Sequence, residues 1–166
     1  MSGQDAGAVI EANAAYYTAF EEADIDGMNA LWLDGEAGRD VLCVHPGWPP
    51  LRGRAKVMRS WSMIMANTPY IQFVITDVEV DVLGDVAVLS CSENVIMGTD
   101  EPGESTLGFA SGRVVATNVF RRAGTGWRLW AHHSSPVIAA GGGEGDADAP
   151  HEARRDGSLD DGPGSD

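Results

Sequence analysis

Basic residues are scarce: 11 lysines and arginines stand against 25 aspartates and glutamates, a formal net charge of −14. So negative a chain repels phosphate backbones and anionic lipid surfaces, which sets aside nucleic acid and membrane as partners. No apolar run approaches the ~20 residues that cross a bilayer. Residues 1–13 lack the basic-then-apolar order of a secretory signal, so a cytoplasmic protein is expected. Cysteine is nearly missing. Cys43 and Cys91 sit in apolar strand-like segments, as buried free thiols do, and neither has beside it the helix start or cation that would acidify a nucleophile. A phosphate-cradling loop is absent too, since Gly141, Gly142 and Gly143 follow no strand-to-helix turn. There is no paired carboxylate or triad at a diagnostic spacing, and His45, His133 and Glu93 match no compact metal-ligand motif. No cofactor and no metal are expected.

What is present is organised around residues 113–137. β-Branched and aromatic residues fill two arms, and a polar stretch from Arg121 to Gly126 joins them as a hairpin. Alternation puts Val114, Ala116, Asn118 and Phe120 on one face of the first arm, with Val115, Thr117 and Val119 on the other. In the return arm the same rule groups Trp127, Leu129, Ala131, His133 and Ser135, opposite Arg128, Trp130, His132 and Ser134. His133 is therefore expected inside and His132 outside.

Upstream, Val9, Ala12, Tyr16, Ala19, Phe20 and Ala23 recur at three- and four-residue steps, which predicts a helix over 8–23 behind a frayed leader, 1–7. Asp26 is placed to cap a short second helix over 27–32. A glycine- and charge-rich loop, 34–40, leads to a strand over 41–45 that stops at Pro46. Val57, Trp61, Ile64 and Met65 mark a third helix over 54–66, closed by Asn67, Thr68 and Pro69. A hairpin follows from 71–82 to 86–97, then a polar loop over 98–108 that serves as a lid or a connector. The acidic segment 139–166 carries too little apolar surface to order itself. The order predicts one α+β domain over 8–138: a cone of two layers, three N-terminal helices on a strongly curved antiparallel sheet.

The pattern Ala15-Tyr16-Tyr17-Thr18-Ala19-Phe20, Ala23 to Met28, Leu31-Trp32, Cys43-Val44-His45-Pro46, Gly53-Arg54, Asn118 to Arg121 and Gly126 to Leu129 resembles the nuclear transport factor 2-like superfamily, in its SnoaL-like and ketosteroid isomerase-like branch. That resemblance implies a conical pocket and a dimer through the outer sheet face. It also sets Tyr16 where ketosteroid isomerases place an oxyanion-donating tyrosine, His45 where they place the general base, and Thr117 or Asn118 near their second donor. The two aspartates of the steroid isomerases are not reproduced, while the logic of a base facing polar donors in an apolar cavity is.

From the residues, His45 at a strand end has the side-chain type whose proton changes hands near neutral pH, and His133 is the complementary acid. Trp32, Trp48 and Trp61, with Tyr16, Tyr17 and Phe120, supply aromatic lining, and Asn94 and Asn118 supply amides that orient a ligand or tie strands. Each has a plainer role as core or turn support. Two functions follow as expectations. One is a cofactor-independent acid–base enzyme of isomerase, cyclase, dehydratase or epoxide hydrolase type acting on an apolar small molecule. The other is a non-catalytic, dimeric ligand-binding or interaction domain. Val115, Thr117, Val119 and Trp130 form the apolar outer patch expected at a homodimer contact.

Overall fold

A computed structural model describes residues 2–98 and 112–138, so the expected loop beyond Gly98 and the acidic tail lie outside the described residues. The elements are α1 (Ser2–Glu21), α2 (Ile25–Leu31), a single 3-10 turn (Ala37–Asp40), β1 (Leu42–Val44), β2 (Leu51–Arg52), α3 (Arg54–Ala66), β3 (Ile71–Leu83), β4 (Val86–Met97), β5 (Gly112–Ala123) and β6 (Gly126–Pro136). The strands form one sheet in the order β2-β1-β6-β5-β4-β3. Every neighbouring pair is antiparallel except β1 and β6, which run parallel. Helices on one side of this mixed but mostly antiparallel sheet give the α+β architecture expected.

Helix α1 differs from expectation at its start. Residues 2–7 are helical rather than frayed, because Asp5 reaches the Arg122 guanidinium on β5 at 2.9 Å. That contact anchors the first turn to the sheet, where no sequence-local signal would hold it. The buried side is Val9, Asn13, Tyr16, Tyr17 and Ala19. The helix closes through Ala23, a non-glycine residue at φ 53°. This reversal brings Asp24, not Asp26, to the cap of α2, where its carboxylate accepts the Gly27 N–H at 2.9 Å. Arg54 then locks α2 to α3. Its guanidinium donates to the main-chain oxygens of Trp32 (2.8 Å) and Leu33 (2.7 Å) and to Asn29.

The sheet has two unlike ends. Near the hairpin turns at Gly84 and Gly124, Ala87 pairs with Phe120 and Phe120 with Leu129. These side chains join Met28, Trp32 and Leu89 in a solid core. Farther along, Glu93 pairs with Val114, and Ser134 lies across from Ala116. Between the two ends β6 carries a bulge. The register runs Phe120 to Leu129 but Val119 to Ala131, which leaves Trp130 without a partner. One extra residue inverts the alternation beyond it.

The bulge overturns the expected placement of the adjacent histidines. His132 is 3 % exposed and faces inward with Ser134, whereas His133 is on the exposed face. At the other margin β3 is the edge strand among the described residues. It has its own register break between Thr76 and Glu79, and the Glu21 carboxylate accepts the Phe73 N–H at 2.6 Å.

Candidate functional site

Between the C-terminal half of α1, α3 and the open end of the sheet lies a cavity of about 510 Å³. Its apolar wall includes Phe20, Trp48, Trp61, Ile64, Ile71, Phe73, Val95 and Met97. Its polar groups are Tyr16, Tyr17, His45, Thr68, Glu93, His132 and Ser134. Among the described residues no lysine or arginine lines it.

His45 lies just past the end of β1 and is 4 % exposed. Its carbonyl takes the Trp48 N–H at 2.9 Å and so closes the proline-rich turn, while its ring turns toward α3. Ring Nε2 is 2.9 Å from Ser60 Oγ. The Ser60 hydroxyl proton is committed to the Val57 carbonyl at 2.7 Å, so the serine oxygen must accept and Nε2 must carry the hydrogen. The lone pair of His45 is then on Nδ1. Cys43 Sγ, at 3.8 Å from Nδ1 and 3.7 Å from Nε2, adds a weak contact to both. Trp48 and Trp61 meet the imidazole edge-on, at 5.2 and 4.8 Å between centroids. Burial pulls the His45 pKa down to about 4, so the ring is neutral at pH 7.

His132 is fixed by a different relay. Asn118 donates through Nδ2 to Asn13 Oδ1 at 2.7 Å, and its own Oδ1 is 2.6 Å from His132 Nδ1. An amide oxygen only accepts, which puts the hydrogen on Nδ1 and the lone pair on Nε2, 3.2 Å from Ser134 Oγ. Burial first, then the neighbouring His45 and His133, bring the His132 pKa down to about 3. Two neutral imidazoles of opposite tautomer therefore line one cavity.

Tyr16 is 1 % exposed, and its hydroxyl has no acceptor among the described residues. The ring packs on Trp61 and His132 at 5.5 and 5.0 Å. Burial raises its pKa well above the ordinary phenol value, so it stays a donor. Trp32 and Trp127 also keep an unmatched N–H but lie in the packed end. The Trp61 N–H is unmatched as well and lies on the cavity wall, so the open end carries two orphan donors, the Tyr16 hydroxyl and the Trp61 indole. Tyr17 donates to Glu93 Oε1 at 2.7 Å, and burial raises the Glu93 pKa.

The structure thus brings together His45, Tyr16, Trp48 and Trp61 of the residues singled out from the sequence. Asn118 stands behind His132 rather than on the cavity. Trp32 and Phe120, each 1 % exposed, belong to the solid core and do not line the space. Asn94 faces outward and donates to the Val74 carbonyl at 2.9 Å. His133 is on the wrong side of the sheet to join His45 and Glu93, so that metal-ligand set does not assemble. Among the described residues no other group of three or more His, Cys, Asp or Glu is placed to hold a metal. Sequence reasoning missed His132 and Ser134, saw Tyr17 only as aromatic lining, and saw Glu93 only as a metal ligand. An acid on the same strand face as Cys91 and Val95 was the signal available.

Residues 9–139 match the family model described as a SnoaL-like domain. The chain belongs to the SnoaL-like family. That family is a branch of the nuclear transport factor 2-like superfamily, and the neighbours of this SnoaL-like chain agree in fold. A Streptomyces avermitilis protein described as a candidate dehydratase of the NTF2-like family is 47% identical, with a TM-score of 0.78 over 82% of this chain and 99% of that one. A candidate calcium/calmodulin-dependent protein kinase type II association domain from Thiobacillus denitrificans is 31% identical, with a TM-score of 0.63 over 76% and 93% of the two chains. F-box protein SKIP8 of Arabidopsis thaliana is 24% identical over 131 residues, which are 79% of this chain and 50% of that protein. The chain thus spans about half the length of the curated relative it matches. No helix among the described residues is long and apolar enough to cross a membrane.

Proposed function

We propose that this SnoaL-like domain binds a largely apolar small molecule in the cavity and moves a proton on it with its own side chains, without an organic cofactor. The observation that carries this reading is a set of buried donors and bases, Tyr16, His45 and His132, on the wall of one largely aromatic cavity. Nδ1 of His45 removes a proton from the carbon beside a carbonyl. The electron pair left behind is delocalised onto the carbonyl oxygen, to which the unmatched Tyr16 hydroxyl donates. The proton then returns from His45 either to another carbon, giving an isomer, or to a departing hydroxyl, giving an alkene and water. The 47% identity to the candidate dehydratase favours the second outcome. Neutral His132, held through Nδ1 by Asn118 and Asn13, turns its Nε2 lone pair toward Ser134; it accepts a hydrogen bond there and does not supply the acid expected of His133.

A panel of β-hydroxyketones and β,γ-unsaturated ketones tests the reading by turnover. His45→Gln is expected to lower kcat about 10²- to 10⁴-fold on a panel member that the intact protein converts. Undiminished turnover by that variant would overturn the assignment.

The second reading, a dimeric binding or interaction domain, is favoured by the outer sheet face, where Val74 and Val115 are 49% and 42% exposed. It is supported by the likeness to an association domain. Val115→Glu should shift a dimer to monomer in sedimentation, and a mass unchanged by that substitution would count against a contact through this face.

A further inference from the structure

Glu93 has no part in the proton transfer, yet its surroundings are the least matched in the cavity. It is 4 % exposed, and the Tyr17 hydroxyl donates to its Oε1. Among the described residues no basic side chain lines the same space. The ion pairs of the described residues lie elsewhere, at Asp5, Asp77 and Asp85. The sequence between β4 and β5, residues 99–111, contributes three acidic residues and no basic one. A carboxyl group taken out of water without an opposite charge is costly to ionise, and one nearby cation reverses that balance.

The rest of the wall suits such a cation. Tyr16, Tyr17, Phe20, Trp48, Trp61 and Phe73 line the cavity, and aromatic faces attract ammonium groups when water is excluded. Both imidazoles are neutral near pH 7, so neither opposes a positive ligand. The chain's net charge of −14 raises the local concentration of cations.

We infer that the cavity takes an organic cation, a protonated or quaternary amine on an apolar body, with the ammonium beside Glu93 and the body among the aromatic rings. An anionic ligand would find no counter-charge. A neutral one would leave Glu93 with Tyr17 alone. The inference rests on the cavity being the ligand site.

The test is equilibrium binding to the full chain, read by quenching of tryptophan fluorescence from Trp48 and Trp61. The probes are benzyltrimethylammonium and its neutral carbon isostere, neopentylbenzene. The cation is expected to bind roughly tenfold or more tightly, the scale of a desolvated cation–π contact with an ion pair. In Glu93→Gln the two probes should bind alike. If that variant does not fold, Glu93→Asp retracts the charge by one methylene and should cut the preference severalfold. Equal affinities in the intact protein, tighter binding of the isostere, no binding of either probe, or a preference that survives the substitution would each overturn the proposal. Failure here is distinguishable from failure of the proton-transfer reading. A neutral ketone turned over with His45 dependence, beside no cation preference, sinks this inference and leaves that one standing.

Discussion

At the turn end of the sheet, Ala87, Phe120 and Leu129 lie across three strands and are covered by Met28 and Trp32 with no space between. At the open end, Glu93, Val114 and Ser134 occupy the same strands and the same inward face, yet they line a cavity. Residue type does not separate the two ends. Each has tryptophan, each has an unmatched N–H, and each is largely apolar. What separates them is the helix above: α2, tied by Arg54 to the Trp32 carbonyl, covers the turn end, while over the other end α1 and α3 meet through Tyr16, Phe20 and Trp61 at the cavity wall. An aromatic residue is a plug or a wall according to the element that covers it.

The largest expected break in that comparison is acid. Folding holds His45 and His132 at pKa values of about 4 and about 3, below the ordinary value near 6.5. Above pH 6.5 both rings are neutral in either state, and no stability is lost. As pH falls from 6.5 toward 4 the unfolded chain takes up protons that the folded chain refuses. Stability should drop by on the order of 5 kcal/mol for the pair. Urea midpoints between pH 7 and pH 4 check this. The joint replacement of His45 and His132 by Gln should flatten the pH dependence, whereas Phe120→Ala should leave its slope intact.

Second comes the packed end itself. Phe120→Ala opens a void with no route to solvent and should cost about 3–5 kcal/mol. Trp48→Ala, at the half-buried rim, should cost far less stability but weaken binding of any cavity ligand. Equal losses from the two substitutions would erase the distinction between plug and wall.

The smallest effect sharpens the bulge. His132→Ala removes a ring hydrogen-bonded to Asn118 and should cost about 2 kcal/mol. His133→Ala, on the exposed face, should stay within about 0.5 kcal/mol. The reverse order in thermal melts would mean that β6 alternates without interruption.

Much of this fold was legible because hydrophobic period and turn chemistry agree locally. Val57, Trp61 and Ile64 mark α3 to its observed bounds, and Gly84 punctuates the long hairpin where alternation predicts it. The misses share a cause: each depends on a contact distant in sequence. The first turn of α1, from Ser2, is met by Arg122 through Asp5. The two-residue strand β2, between Pro50 and Gly53, exists as the antiparallel partner of β1. The identity of the inward histidine turns on a single unpaired residue, Trp130, that no periodicity reveals. For the site, His45 and Tyr16 were legible from residue type and family pattern. Trp32 and Phe120 were not separable from cavity residues without the helices in place.

The margin of β3 has a consequence for self-association. Its first free amide is already occupied by the Glu21 carboxylate, and Asp77, Glu79 and Asp81 stud the exposed part of the strand. A second copy trying to lengthen the sheet there would have to dislodge one anion and stack its own against three more. Strand addition at this margin is thereby disfavoured.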